Sequence, residues 1–342
     1  MSRILIVAPN WIGDVLLAQP LLARLSERLP GVAIDAFAPA WTAPVMRRMP
    51  EIDSVIDSPF GHGGLQLRER WRIGRELRAR GYTQAYVLPN SFKSALLPFF
   101  ADIRLRVGYV GESRYGLINV AHRLNKKKAP LMAERYAQLA EVPGEKLTRP
   151  LLASRLNVDE ANLLISLARL GVDRRRPVVA LCPGAEYGPA KRWPARHFAA
   201  LARQMAARGR AVWLIGSPKD AEVATDIASL SNGVAVNLCG KTDLATAIDL
   251  LSVAQLVVSN DSGLMHIAAA LARPLVALYG SSSAEHTPPL ATGPVAPRLV
   301  KLEGLACSPC FKRECPLGHF KCMNDLEPQR VVAEIDAIAA TE

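Results

Sequence analysis

The residues of this chain best suited to chemistry sit in turns that follow apolar runs. The clearest example is LVVSNDSGLMHIAAALARPLVALYG, Leu256 to Gly280. Its first apolar run stops at Asn-Asp-Ser-Gly, an Ala-rich helical run follows, and a second apolar run, Pro274 to Tyr279, closes a β-turn-α-β unit. Ligands of parallel α/β sheets bind at the carboxyl ends of strands. The free N–H groups and dipole of a helix N-terminus favour an anion there. Asp261 or Ser262 can cap the helix, Gly263 lets a ligand approach the backbone, and His266 follows within about a turn. These residues fit a phosphate site, and the same pattern equally serves a well-capped unit that binds nothing.

A second such turn is CPGAEYGPAKRWP, Cys182 to Pro194, with two glycines and adjacent cations ahead of a helix. Lys191 suits a phosphate as a point charge; its alternative is a solvated loop lysine. Ile215-Gly216-Ser217-Pro218-Lys219-Asp220 ends the next strand, where Asp220 or Glu222 either holds ribose hydroxyls or caps a helix. Near the N-terminus, Ala8-Pro9-Asn10-Trp11-Ile12-Gly13-Asp14 has no GxGxxG, against an ordinary dinucleotide fingerprint. Asp14 either caps its helix or accepts a proton from a substrate hydroxyl.

The elements that position these turns alternate throughout. RILIVA, VAIDAFA, SVIDS and AYVLP read as strands, separated by helical patterns at Asp14 to Leu29, around Trp41 to Met49, and at Leu65 to Arg80. Pro20 kinks the first helix or delays its start. A loop-rich stretch rich in Arg, Lys and Pro spans about Asn125 to Pro150. PVVALCP, AVWLIG and VAVNLCG then alternate with helices at Pro194 to Arg208, Lys219 to Leu230 and Asp243 to Val253. Two βα series predict an α/β protein of two doubly wound domains facing across a cleft. The last segment, Pro328 to Ala340, predicts an amphipathic helix begun by Pro.

Composition agrees. The 342 residues are 50% hydrophobic and 21% charged, enough for two cores. No apolar run is long enough to span a membrane. RILIVAPNWIGD has neither the long apolar region nor the cleavage site of a secretion signal, so the protein is expected in the cytoplasm. The net charge of +11 gathers on Arg68 to Arg80, Lys126 to Lys128 and Arg174 to Arg176. Such clusters suit anionic partners, or simply solvate helix faces. Aromatics at 6%, without a stacking motif, argue against nucleic acid.

PNWIGDVLLAQPL, YVLPNSFKSALLPFF, CPGAEYGPAKRWP and VSNDSGLMHIAAALARPLVALYG, in this order, resemble the ADP-heptose:lipopolysaccharide heptosyltransferases of glycosyltransferase family 9, above all their type II branch. The resemblance covers most of residues 1–290. It implies a GT-B fold of two Rossmann-like domains: an acceptor domain at 1–165, a donor domain at 175–325, and a terminal helix, 328–342, crossing back to the first. It implies an inverting, metal-independent transfer of heptose from ADP-heptose to a lipid A–Kdo–heptose acceptor, by a protein peripheral to the inner face of the cytoplasmic membrane. Asp14 is then the general base, and Lys191, the helix start at Ser262-Gly263 and His266 steady the leaving pyrophosphate. Gly184, Ala185, Glu186, Ser217, Asp220 and Thr242 join them at the donor, with Asp261 on heptose hydroxyls. Gly13, Asn90, Ser91 and Lys93 fall to the acceptor, and the basic helix Arg68 to Arg80 to acceptor and membrane.

Cysteines give a separate signal. Cys182 and Cys239 lie in apolar strands and read as packing residues. Cys307, Cys310, Cys315 and Cys322 cluster, with His319 between the last two. In a cytoplasmic protein such thiols point to a structural zinc held by four Cys, or three and His319; an iron–sulfur cluster, free thiols or a redox disulfide are the other readings. No cofactor is expected for catalysis, and the cluster is expected to lie apart from it. Two other functions compete: a type I heptosyltransferase acting on Kdo, and a non-catalytic nucleotide- or RNA-binding protein. Pro89 to Ser94 leans toward type II by resemblance.

Overall fold

The structure, a computed structural model, describes residues 2–61, 63–291 and 293–340. It divides into two compact units after Ser154. In the first, strands β1 (Arg3–Val7), β2 (Ala33–Pro39), β3 (Ser54–Ser58), β4 (Gln84–Val87), β5 (Leu105–Tyr109) and β6 (Val120–His122) alternate with helices α1 (Ile12–Leu17), α2 (Gln19–Arg28), α3 (Ala43–Met46), α4 (Leu67–Arg78), α5 (Phe92–Phe100) and α6 (Met132–Ala137). The second begins with α7 (Glu160–Leu170) and continues through β7 (Val178–Cys182), α8 (Ala195–Ala207), β8 (Ala211–Leu214), α9 (Ala221–Leu230) and β9 (Ala235–Asn237). It closes with α10 (Leu244–Ser252), β10 (Leu256–Asn260), α11 (Gly263–Ala270), β11 (Leu275–Tyr279), β12 (Arg298–Lys301), α12 (Lys321–Asn324) and α13 (Pro328–Ala339).

Each sheet is parallel throughout, in the orders β3-β2-β1-β4-β5-β6 and β12-β11-β10-β7-β8-β9. Counted from each unit's first strand, the two orders are the same, the doubly wound arrangement. Helices on both faces of a parallel sheet explain the unbroken apolar strands: β7, β10 and β11 are buried at every position. Around them Trp193, Phe198, Leu201 and Met205 fill the second core. Cys182 in β7 and Cys239, in the turn just after β9, are both buried, and burial pushes both thiols up, Cys239 to about 12.

Several differences from the sequence reading have local causes. Pro20 falls at the start of α2, and the chain breaks between α1 and α2 at Ala18. The stretch read as loop contains α6, too short to declare a period of its own. The boundary falls earlier than the expected 165, because α7 packs on α10: the Asp159 N–H (2.9 Å) and the Asn162 side-chain amide (2.6 Å) donate to the buried Asp249. Val331, Ile335 and Ile338 of α13 are buried in the core of the second unit.

Candidate functional site

In each unit the strand order reverses between two central strands, and a crevice opens where their following loops diverge. In the second unit these strands are β7 and β10, and their loops are Pro183 to Trp193 and Asp261 to His266. In the first they are β1 and β4, followed by Ala8 to Asp14 and Leu88 to Lys93. All four motifs therefore sit at switch points.

The residues of the second unit's switch point interlock. Lys191 ends a short 3-10 turn, Pro189–Lys191, and its Nζ lies 2.6 Å from Asp261 Oδ2. Ser282, just beyond β11, donates its hydroxyl to the same oxygen. Side-chain exposure is 17% for Lys191 and 5% for Asp261, so the pair is weakly screened and its attraction is strong. One step back, the fully buried Asn260 ties the loop's two ends together. Its Nδ2 donates to Pro183 O (2.7 Å), and its Oδ1 accepts the Trp193 N–H (3.1 Å).

Ser262 occupies the N-cap position of α11, but its side chain makes no capping bond. The first-turn N–H groups that a cap would satisfy are those that bind anions elsewhere. His266, on this helix, is buried, and burial pushes its imidazole down to about 4 despite Asp261 nearby. At neutral pH it is an uncharged hydrogen-bonding group, not a cation.

Other donor-side expectations divide. Asp220 is committed to its own turn: Ser217 donates both its N–H (2.9 Å) and its hydroxyl (2.7 Å) to Oδ2. A Cβ at Gly184 would lie 2.4 Å from that oxygen, so glycine is required for this approach. Ala185 is buried, and Glu186 pairs with Lys219 at the exposed rim (2.5 Å). The Thr242 hydroxyl is buried with no hydrogen-bond partner among the described residues. Such a group is costly unless something bonds it.

In the first unit, Trp11 takes the N-cap position of α1, which places Gly13 and Asp14 in its first turn. Burial, then the Asp14 charge, holds the phenol of Tyr136 on α6 well above its ordinary range. Asn90 and Ser91 belong to a loop organised by Arg114, 1% exposed. The guanidinium donates to Pro89 O (2.6 Å), Asn90 Oδ1 (3.2 Å) and Tyr109 O (2.7 Å). Beside it a cavity of about 70 Å³ is lined by Asn10, Trp41, Phe60, Arg70, Ser91 and Lys93. Its side has aromatic rings and cations, with Arg70 stacked 3.9 Å over Phe60.

The four clustered thiols are free and half-buried. Burial and then the other three thiols push Cys322 up to about 11, a sign of how near they lie. The Phe320 N–H donates to Cys315 Sγ at 3.4 Å. Among the described residues no three His, Cys, Asp or Glu side chains converge on one metal-sized point.

Two Rossmann-like units with anion-suited loops at their switch points fit the GT-B class of glycosyltransferases. The model for glycosyltransferase family 9 (heptosyltransferase) matches residues 70–321, and the chain belongs to this family. It is 44% identical to lipopolysaccharide heptosyltransferase 2 of Salmonella typhimurium, covering 99% of both proteins. Identity to heptosyltransferase 1 of Pseudomonas aeruginosa is 28%, over 98% of each. The solved structure of E. coli ADP-heptose lps heptosyltransferase II superimposes with a TM-score of 0.87 at 41% identity, covering 100% of this chain and 99% of that one.

Asn260, Arg114, Tyr136 and Ser282 escaped the sequence reading. Asn260 left one trace, an amide ending a strand that is apolar up to Ser259. Arg114 left none, because most of its partners are backbone carbonyls.

Proposed function

We propose that this chain is a type II heptosyltransferase: it moves L-glycero-D-manno-heptose from ADP-heptose onto the first heptose of a lipid A–Kdo–heptose acceptor, with inversion. The observation that carries the reading is the Lys191–Asp261–Ser282 constellation at the second unit's switch point, in a chain so close over its whole length to type 2 heptosyltransferases. Asp14 takes the proton of the attacking hydroxyl. The hydroxyl oxygen bonds the anomeric carbon as the bond to the β-phosphate oxygen breaks, and ADP departs from the opposite face with the electron pair. Lys191 retains protons for the phosphates beyond the one it shares with Asp261. With the N–H groups opening α11 and neutral His266, it meets charge as it develops on the leaving group. Asp261 orients Lys191 through Oδ2, the oxygen that Ser282 also bonds, and Thr242 offers its hydroxyl to the nucleoside. In the first unit, Lys93 and the rings of Trp41 and Phe60 receive the acceptor sugar.

ADP release from ADP-heptose, measured with acceptors ending in Kdo or in heptose–Kdo, tests this. Turnover is expected only with the heptose-terminated acceptor. Turnover only with the Kdo-terminated one would make the chain a type I enzyme. Silence with both would reject the transferase reading.

The acceptor lies in an anionic bilayer, so the enzyme is cytoplasmic and peripheral at the inner leaflet in this reading. No helix among the described residues is long and apolar enough to cross a membrane. Helix α4 supports a surface contact: Trp71 and Leu67 are half-exposed on it, beside Arg68 and Arg75, which make no ion pair among the described residues. Reversing Arg68 and Arg75 to Glu should release the protein from anionic liposomes; unchanged binding would remove this contact. The four thiols fit a structural zinc in donor type, and an N–H group on Cys315 favours a thiolate. Metal analysis of nickel-free protein should give close to one equivalent; less than about half rejects the site.

A further inference from the structure

The cysteine loop does not stand apart from the donor site. Its backbone runs along the turn that carries Lys191, at three places. The Ala190 N–H donates to Arg313 O at 3.0 Å. The Tyr187 hydroxyl donates to Phe311 O at 2.8 Å. Gly188, at φ +153°, is pressed so close to Arg313 that a Cβ would lie 2.4 Å from its carbonyl oxygen.

The far side of the loop is fixed to the end of β11. The Phe311 N–H donates to Ser281 O (2.6 Å), and the Ser308 hydroxyl to Gly280 O (2.7 Å). Phe311 is left-handed at φ +55°, a conformation a bulky residue keeps only where its surroundings impose it. Both its backbone polar groups are bonded, one to the Tyr187 hydroxyl and one to the strand end that leads to Ser282.

Tyr187 is the junction. Its ring lies under two cations, with Lys191 Nζ 5.1 Å and the Arg313 guanidinium 5.3 Å from the centroid. Both separations are within cation–π range. Lys191 is therefore held from two sides, by the Asp261 carboxylate and by a ring that the cysteine loop anchors through its hydroxyl.

We propose that Tyr187 is a positioning residue for the donor site, through which the loop Cys307 to Cys322 fixes the Lys191 ammonium. The inference rests on the donor reading of Lys191 given above. It assigns the loop a part in donor affinity whatever its thiols hold.

The test is a double-mutant cycle on ADP affinity by calorimetry, with donor KM and kcat alongside and melting temperature as the folding control. Tyr187→Leu removes ring and hydroxyl, and should weaken ADP binding and raise donor KM about tenfold, with kcat changing less. Tyr187→Phe keeps the ring under Lys191 and should cost about twofold to threefold. In a Lys191→Met background, Tyr187→Leu should add less than about twofold, because its effect passes through the missing ammonium. Fully additive losses, or wild-type ADP affinity in folded Tyr187→Leu, would overturn the proposal. If Tyr187→Leu fails to fold, Tyr187→Phe decides alone through the KM-against-kcat split, a kcat-only loss counting against it. Wild-type protein that neither binds ADP nor transfers heptose would instead sink the donor reading, and this inference with it.

Discussion

The two units share a strand order but arm their switch points differently. In the second, the side chains at the crevice are partnered with each other: Lys191 with Asp261, Asp261 with Ser282, Ser217 with Asp220, Asn260 with both ends of its loop. In the first, a buried cation behind the crevice does the shaping. Arg114 spends its donors on backbone carbonyls and the Asn90 side chain, while Lys93 and Trp41 face an open cavity. A donor nucleotide is compact and its pyrophosphate develops charge in the reaction, which rewards fixed dipoles. In the proposed reading the first unit takes an oligosaccharide on a lipid, larger and more varied, which suits an adaptable rim on a braced loop.

The contrast breaks first at its two most exposed claims. Asp14→Ala should lower kcat by about 10²–10⁴-fold while ADP affinity and melting temperature stay near wild type; weakened ADP binding would place Asp14 on the donor side. Lys191→Ala should cost about 10²–10³-fold in transfer and weaken ADP binding as well. A loss confined to acceptor KM would erase the distinction between the units.

A smaller effect separates the neutral histidine from the cations. His266 has a folded-state pKa of about 4 against an ordinary 6.5. Between those values the unfolded chain binds more protons, so acid favours unfolding. The stabilisation is complete above pH 6.5 and is lost as pH falls toward 4, amounting to about 3 kcal/mol. Urea titrations across this window should show a steeper fall for wild type than for His266→Gln; parallel curves would mean the imidazole is not held neutral. The smallest change is expected from Arg114→Met, which strands buried carbonyls. It should cost about 1–3 kcal/mol of stability and raise acceptor KM with donor KM unchanged.

The four motifs were legible because switch-point turns combine Gly, Pro and polar residues at the ends of apolar runs. Strand positions followed from continuous apolar runs, as at RILIV and VVALC, and helix positions from period. What stayed hidden lacks periodicity or acts on backbone. Helix α6 is a turn and a half in a basic, Pro-rich stretch, so Tyr136 beside Asp14 could not be anticipated. The amphipathic stripe of α13 declares that it will be buried, not against what. The cysteines were visible as a cluster that the sequence reads as structural and peripheral to transfer. Only the bonds from Phe311 and Arg313 reveal that they border the donor loop.

The amide of Asn260 has a consequence for motion. By clasping Pro183 O and the Trp193 N–H at once, it turns the donor loop into a span fastened at both abutments to the centre of the sheet. Excursions of that loop are then confined to its crown, around Glu186 to Pro189, where the Tyr187 hydroxyl on Phe311 O and the close approach of Gly188 to Arg313 restrain it further. The Trp193 amide should exchange with solvent only when the whole unit opens, whereas the crown amides should exchange freely in the empty enzyme and slow when nucleotide is added.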